Sequence, residues 1–394
     1  MEQVYIQACL SHCLYPECAL PAPPPGLDWD RVYVLLRRHR LAGLFYVLGR
    51  AHSGLWPKGL RERLREDRYH ALLRGDWCTE QVHNVLSGLR QASIPVIVLK
   101  GWALIPTLYG GDYGQRTYDD IDLLVPPHLA ARAEDILHEL GYRGLRVEPW
   151  AGHRWRYETS WAYRLPQDHG PSAGVFSIGL HWGLLNTPFY DRRMPVQELL
   201  DRAQPLTVSG VEVRRLAAED DLVYACGHLA LHHEYDPALF RYYEMASTVL
   251  QAGSAFNWSV VLERACSWRL IIPLQRVLTY LERLWPGLVP PNVLEGAVAL
   301  RPARAERVVH RILVGNPDNH VIRAAVDWLT MAGLIDRIRY PLGMAFPNPA
   351  YMRKRYGPAP GGLWPLLYFR RAAAAVKHLT AAASRKEKTD PSPP

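Results

Sequence analysis

The feature that most restricts this chain is a short apolar strand that opens with two acids. Ile121 to Val125 is apolar enough for a buried strand, yet Asp120 and Asp122 alternate with Ile121 and Leu123. Residues two apart in a strand point the same way, so the two carboxylates share one face while Ile121 and Leu123 enter the core. Upstream, Ile94-Pro95-Val96-Ile97-Val98-Leu99 reads as a second strand, buried on both faces. It runs into Lys100-Gly101, and a helix follows from Gly101 to Tyr109 before glycines 110, 111 and 114 loosen the chain.

Two carboxylates side by side repel each other, and a divalent metal between them removes that cost. Magnesium prefers hard oxygen ligands and usually bridges one or two carboxylates to substrate phosphates. Two such ions can clamp the attacking and leaving oxygens of a displacement at phosphorus. Gly101 at a helix start can offer bare N–H groups to a phosphate, and Lys100 and Arg116 can neutralise the rest of a triphosphate. An Asp-x-Asp by itself also suits a solvated strand end. The Lys-Gly turn and the arginine four residues ahead raise the metal-and-phosphate reading, and pattern alone leaves both standing.

Around this centre the chain reads as four segments. Residues 1–92 form a helical lobe with a stiff linker at Pro21 to Pro25, and helical pattern runs from Asp28 through Leu48 and from Leu60 to Leu89. Residues 93–216 form an α/β core, with a helix from Leu129 to Leu140 ending at Gly141. Further strand-like stretches lie at Trp161 to Leu165, Val175 to Trp182 and Leu206 to Leu216. Residues 217–340 return to helices, and residues 341–394 form a basic tail expected to be disordered at its end.

Composition narrows the function classes. With 394 residues, 48% hydrophobic and 21% charged, the chain is built to fold into two or three domains. No apolar run has the length of a membrane span, and Met1 to Leu10 lacks the pattern of a secretory signal, so a cytoplasmic location is the default expectation. The formal charge of +8 favours anionic partners, but no base-reading motif supports nucleic-acid binding. Cys9, Cys13 and Cys18 cluster with His12 without matching a zinc pattern, and free thiols are expected. The stretch Leu363 to Leu379 suits either a docked terminal helix or a peripheral contact with a membrane or a pathway protein. His228 and His232 share a helix face beside His233, which suits core packing or, with a third ligand, a metal.

The segment Val98-Leu99-Lys100-Gly101, then Arg116 through Asp120-Ile121-Asp122-Leu123-Leu124-Val125, resembles the uncharacterised nucleotidyltransferase family of the polymerase-β-like superfamily. Asp28-Trp29, Arg38-His39, Leu180-His181-Trp182, His228 to His232, Arg241 to Ala246 and Met352 to Gly357 extend that resemblance over most of the chain. It implies an α+β fold, a mixed sheet flanked by N-terminal and C-terminal helical lobes. It also implies transfer of a nucleoside monophosphate from a nucleoside triphosphate to a hydroxyl of an unidentified small-molecule, peptide or glycan acceptor, with Mg2+ or Mn2+. By resemblance, Asp120 and Asp122 would bind the metal and act in catalysis, and Lys100 and Gly101 would form the phosphate-binding turn.

One departure bears on chemistry. The family's downstream strand carries an acid two positions before the His-Trp histidine, where this chain has Gly179. Alternation puts Ser177, Gly179 and His181 on one face, with Phe176, Ile178, Leu180 and Trp182 toward the core. Either His181 serves as base or ligand, or Asp119 or Glu158 enters from a neighbouring loop, or the chain binds a nucleotide or partner without chemistry.

Overall fold

The computed structural model describes residues 1–371 apart from 53, 167–175, 317–318 and 358–364. The chain opens with helices α1 (Glu2–Leu14), α2 (Trp29–Arg38), α3 (Ala42–Ala51) and the long α4 (Lys58–Gln91). Asp28 starts α2 by accepting from the N–H groups of Asp30 and Arg31, each at 3.0 Å. The first strand, β1 (Ile97–Leu99), is shorter than the apolar run suggests, and α5 (Gly101–Leu108) follows at once. Then come β2 (Asp120–Leu124), α6 (Ala130–Glu139), β3 (Arg143–Gly144), α7 (His153–Tyr157), β4 (Ser160–Arg164) and β5 (Ser177–His181). Gly141 closes α6 at φ +90°, as a left-handed cap requires. After α8 (Pro188–Asp191) and α9 (Val196–Arg202), the expected strand from Leu206 to Leu216 divides into a hairpin of β6 (Gln204–Val208) and β7 (Val211–Arg215), turned by Gly210 at φ +76°.

The remaining helices are α10 (Ala218–His233), α11 (Leu239–Ala252), α12 (Trp258–Trp268), α13 (Ile271–Leu284), α14 (Pro291–Ala299), α15 (Arg304–Gly315), α16 (His320–Thr330), α17 (Leu334–Ala345) and α18 (Pro349–Tyr356). Trp364, Lys377 and the end of the expected basic tail lie outside the described residues, as does Val175.

The strands form one mixed seven-stranded sheet in the order β3-β4-β5-β2-β1-β7-β6. Strand β2 is central, antiparallel to β1 and parallel to β5. Its alternation sorts the two cores. Ile121 and Leu123 join Val98, Ile178 and Leu180 in an apolar layer closed by α6 and the C-terminal half of α4. On the other face, Leu124 joins Ile97 and Leu99 in a larger core.

That larger core contains residues of α1 to α3 together with residues of α10 to α15, so the helical lobes at the two ends of the chain share one apolar interior. His39, buried at the end of α2, accepts the Leu239 N–H at the start of α11 at 3.3 Å and ties the two together. The face of β2 that carries its acids therefore looks toward the joined helices.

The loop before β2 is tied to α4. Arg68 pairs with Asp112 at 2.9 Å and Arg74 with Asp119 at 2.9 Å, while Asp112 also accepts the Gly114 N–H at 2.9 Å. Helix α3 presses on this loop through Gly43, where a Cβ would stand 2.1 Å from the Gly114 carbonyl oxygen and 2.7 Å from that of Gln115. Because backbone faces backbone there, no side chain can move aside. Gly43→Ala is expected to destabilise the protein by about 1–3 kcal/mol in chemical denaturation. Unchanged stability would contradict this close seating of α3.

Candidate active site

Asp120 and Asp122 emerge from the same face of β2, paired in register with Ser177 and Gly179 of β5. On the other flank, Asp122 lies opposite Leu99, the last residue of β1. The next residue, Lys100, turns the chain from β1 into α5 at φ +50° and ψ −133°. A side chain in that region crowds its own backbone, at a cost of about 1–3 kcal/mol. From there Lys100 Nζ donates to Asp122 Oδ2 at 2.9 Å. The other oxygen of Asp122, Oδ1, lies 3.1 Å from His181 Nε2.

The two carboxylates are unequal. Burial disfavours the charge of Asp122, but Lys100 and His181 outweigh it and hold this acid well below the usual carboxylate range. Asp120 goes the other way. Partial enclosure and then the negative charge of Asp122 raise its pKa, and Lys100 offsets this only in part. The Asp120 carboxylate has no hydrogen bond or ion pair among the described residues. A free carboxylate beside one held ionised is a hard-oxygen donor set that suits a divalent cation. Among the described residues, no group of three or more histidines, cysteines or acids is arranged to hold a metal ion.

Gly101 is required for packing. A Cβ there would fall 2.0 Å from Cε1 of Tyr118, so the ring lies directly against the start of α5. Arg116, expected at the phosphates, is not brought to the carboxylate pair. It is buried, donates from Nε to Glu244 Oε1 at 3.0 Å and packs 4.0 Å over the Phe240 ring. Tyr109 and Tyr118 donate to the same Glu244 oxygen at 3.0 and 3.2 Å. The physical reason is a half-buried acid on α11, 128 residues downstream, whose carboxylate takes the buried guanidinium as its ion-pair partner.

Sequence alternation correctly placed Ser177, Gly179 and His181 together, but the space at Gly179 is not open. A Cβ at Gly179 would stand 2.2 Å from Asp122 Oδ1 and 3.2 Å from His181 Nε2. Asp122 therefore leans into the space that a side chain at position 179 would take. Asp119 is held by Arg74, and Glu158 pairs with Arg146 at 3.3 Å. A carboxylate that sequence reasoning missed lies close by. Asp191 on α8 accepts the Leu184 N–H at 2.7 Å, and burial raises its pKa to about 6 despite those backbone bonds and nearby His181. No local pattern marks it, since the four-residue α8 sets it against the backbone of Leu184 and Leu185, in the segment that follows β5.

Behind Lys100 stand the histidines of α10. Lys100 Nζ lies 2.8 Å from His228 Nε2, and the His228 and His232 rings stack with centroids 4.7 Å apart. Burial, then the Lys100 charge, lowers His228 well below its usual value and takes His232 down to about 3. His233 falls to about 4 through burial and Arg241. All three are neutral at neutral pH, and His228 then offers Lys100 a lone pair. The six cysteines are unpaired.

Two outcomes follow from this electrostatic arrangement. Lys100→Met leaves Asp122 without its cation beside Asp120 and is expected to cost about 1–3 kcal/mol of stability, with Lys100→Met/Asp122→Leu recovering much of it. Equal losses in the single and double variants would contradict the pairing. Because the folded-state values of His228, His232 and His233 lie below the usual 6.5, their contribution is complete above that pH and is lost as pH falls toward about 4 and 3. Thermal unfolding across that window should fall steeply in the wild type and less steeply in His232→Gln. Identical slopes would contradict the assignment.

Comparison with known proteins identifies the family. The profile of the family described as uncharacterised nucleotidyltransferase matches residues 25–286, more than half of the chain. No curated protein gives a significant match. Among solved structures, the chain is similar to the antibiotic-resistance factor ANT(2'')-Ia in its solution structure, at 16% identity over 52% of this chain and 98% of that one, with a TM-score of 0.33. The crystal structure of ANT(2'')-Ia with adenylyl-2''-tobramycin gives 18% identity, 48% and 95% coverage and a TM-score of 0.31. An antigenic nucleotidyltransferase-like protein from Paracoccidioides brasiliensis gives 18%, 55% and 91%, with 0.34. Superpositions this loose carry no residue-level correspondence. The profile match over the segment that builds both the sheet and the carboxylate pair places the chain in the uncharacterised nucleotidyltransferase family.

Proposed function

We propose that this chain transfers a nucleoside monophosphate from a nucleoside triphosphate to a hydroxyl of a small-molecule, peptide or glycan acceptor. The observation that carries the reading is the unpaired Asp120 carboxylate beside a Lys100-bound Asp122, on one strand face at the Lys100–Gly101 turn. In the reaction, the acceptor oxygen forms a bond to the α-phosphorus, the bond from that phosphorus to the β-phosphate oxygen breaks, and pyrophosphate leaves. A magnesium or manganese ion held by Asp120 and Asp122 would neutralise triphosphate charge and favour the departing pyrophosphate.

The chain's own residues set the stage for that step. Lys100 and His181 keep Asp122 ionised and fix the direction of its oxygens. Lys100 also supplies the nearest positive charge for a phosphate. His181, on this face with its Nε2 3.1 Å from Asp122 Oδ1, is the imidazole proposed to take the hydroxyl proton. Arg116 acts at one remove, through Glu244 and the Tyr118 ring packed on Gly101.

A second reading is favoured by one observation. The atoms nearest a Cβ at Gly179 belong to Asp122 and His181, so a third carboxylate does not stand there, and the chain would bind a nucleotide or partner without chemistry. Loss of one such group commonly costs about two to four orders of magnitude in rate.

Isothermal titration of ATP, GTP, CTP and UTP with magnesium should show binding of at least one nucleotide. Asp120→Ala/Asp122→Ala is expected to weaken it by tenfold or more, and equal binding by both proteins would overturn the site. Pyrophosphate release with candidate acceptors separates enzyme from binder. Gly179→Asp, which must push Asp122 off His181, should raise that release if the missing acid limits the rate. No release in either protein, with binding intact, would support the second reading.

A further inference from the structure

Helix α17 is amphipathic, but it is seated by its polar side. Asp336 pairs with Arg156 and accepts from the Tyr157 hydroxyl at 2.9 Å. Tyr340, one turn on, is buried against the Tyr157 ring at 5.2 Å, and Gly343 presses on Trp150, whose ring would lie 2.4 Å from an added Cβ. These three residues lie along one face, and they anchor the helix to the segment around α7.

The opposite face is apolar and open. Leu334, Ile335, Ile338, Leu342 and the capping residue Phe346 are each more than half exposed. At the helical repeat they fall within an arc of roughly 120°. Arg337 and Arg339 border that arc on its two sides. The turn at residues 366–371 repeats the arrangement. Leu367 is buried, whereas Leu366 and Phe369 are more than half exposed. The two pieces are joined, since Tyr368 lies against Phe346, its hydroxyl donates to the Pro347 carbonyl at 2.5 Å, and Arg371 donates to the Met344 carbonyl at 2.6 Å.

A large apolar stripe left in water is costly unless something covers it. Charge selects the cover. From Leu334 to Arg371 the sequence holds seven arginines and lysines and one acid, Asp336, which is already paired. A second copy docked face to face would set these cations against their own kind. Residues 372–394 would add Lys377, Arg385, Lys386 and Lys388 against only Glu387 and Asp390, so the chain's own end is a poor cover for the same reason. An apolar face bordered by arginines matches a surface that offers acyl chains below and negative charge above. Among the described residues no helix is long and apolar enough to cross a membrane, so any such contact is made from one side.

We infer that α17 and the turn at residues 366–371 dock on an anionic lipid surface, the apolar arc entering the interface and the bordering arginines reaching the headgroups. Docking of this kind needs no chemistry at Asp120 and Asp122.

Flotation of the full chain tests it, using vesicles of phosphatidylcholine alone and of phosphatidylcholine with an equal part of phosphatidylglycerol. The chain should float with the anionic vesicles only, and added salt should release it. Ile338→Asp/Leu342→Asp, at exposed positions, should abolish flotation while leaving thermal unfolding unchanged. Arg339→Gln/Arg370→Gln should weaken it about tenfold. Failure of the wild type to float with anionic vesicles would overturn the proposal, as would undiminished flotation of the aspartate variant. Light scattering that shows a wild-type dimer, absent in the aspartate variant, together with no vesicle binding, would assign the face to a second copy instead.

Discussion

Two like charges two residues apart on one strand organise this molecule. Strand β2 cannot present Asp120 and Asp122 on one face without a nearby cation, and the protein supplies Lys100 at 2.9 Å. The consequences run outward from that pair. Lys100 accepts a strained backbone conformation to reach Asp122. The imidazoles of His228 and His232 behind it are driven toward the neutral form, because burial and then the Lys100 charge both disfavour a second cation there. Residue 179 has no room for a Cβ while Asp122 leans against His181. Only one of the two acids is satisfied by the protein, and the other has no hydrogen bond or ion pair among the described residues.

Much of this was legible in the sequence because it is local. Strand alternation placed Asp120 and Asp122 on one face, Ile121 and Leu123 on the other, and grouped Ser177, Gly179 and His181. The cap at Asp28, the stop at Gly141 and the Lys100–Gly101 turn also depend on neighbours within a few residues. What could not be read was the choice of partner across long separations. Lys100 meets His228 from 128 residues away, and Arg116 meets Glu244 over the same span. Nothing in the local pattern says which of two cations an enclosed acid will take. Burial decides it: Glu244, enclosed by Tyr109 and Tyr118, draws the arginine inward and leaves the lysine to the strand face.

The same limit applies to packing. Apolar periodicity marks a helix and its stripe, but it does not say what the stripe meets. The helices at the two ends of the chain look like separate lobes in sequence and close over one interior in the fold. Helix α17 has an equally clear stripe, and there tertiary contacts through Asp336, Tyr340 and Gly343 hold the polar face down. Asp191 was invisible for a related reason, since the short α8 turns it onto the backbone of Leu184 and Leu185, where it feels the charge of His181.

The central claim is that Asp120 and Asp122 form one cation site for a nucleotide's phosphates. The most direct measurement is a crystal structure grown with manganese and a non-hydrolysable nucleoside triphosphate analogue, with the metal located by anomalous scattering. The account predicts a manganese peak ligated by Asp120 and Asp122, with the triphosphate lying along the Lys100–Gly101 turn. A nucleotide bound elsewhere, or a metal that leaves both aspartates untouched, would contradict it.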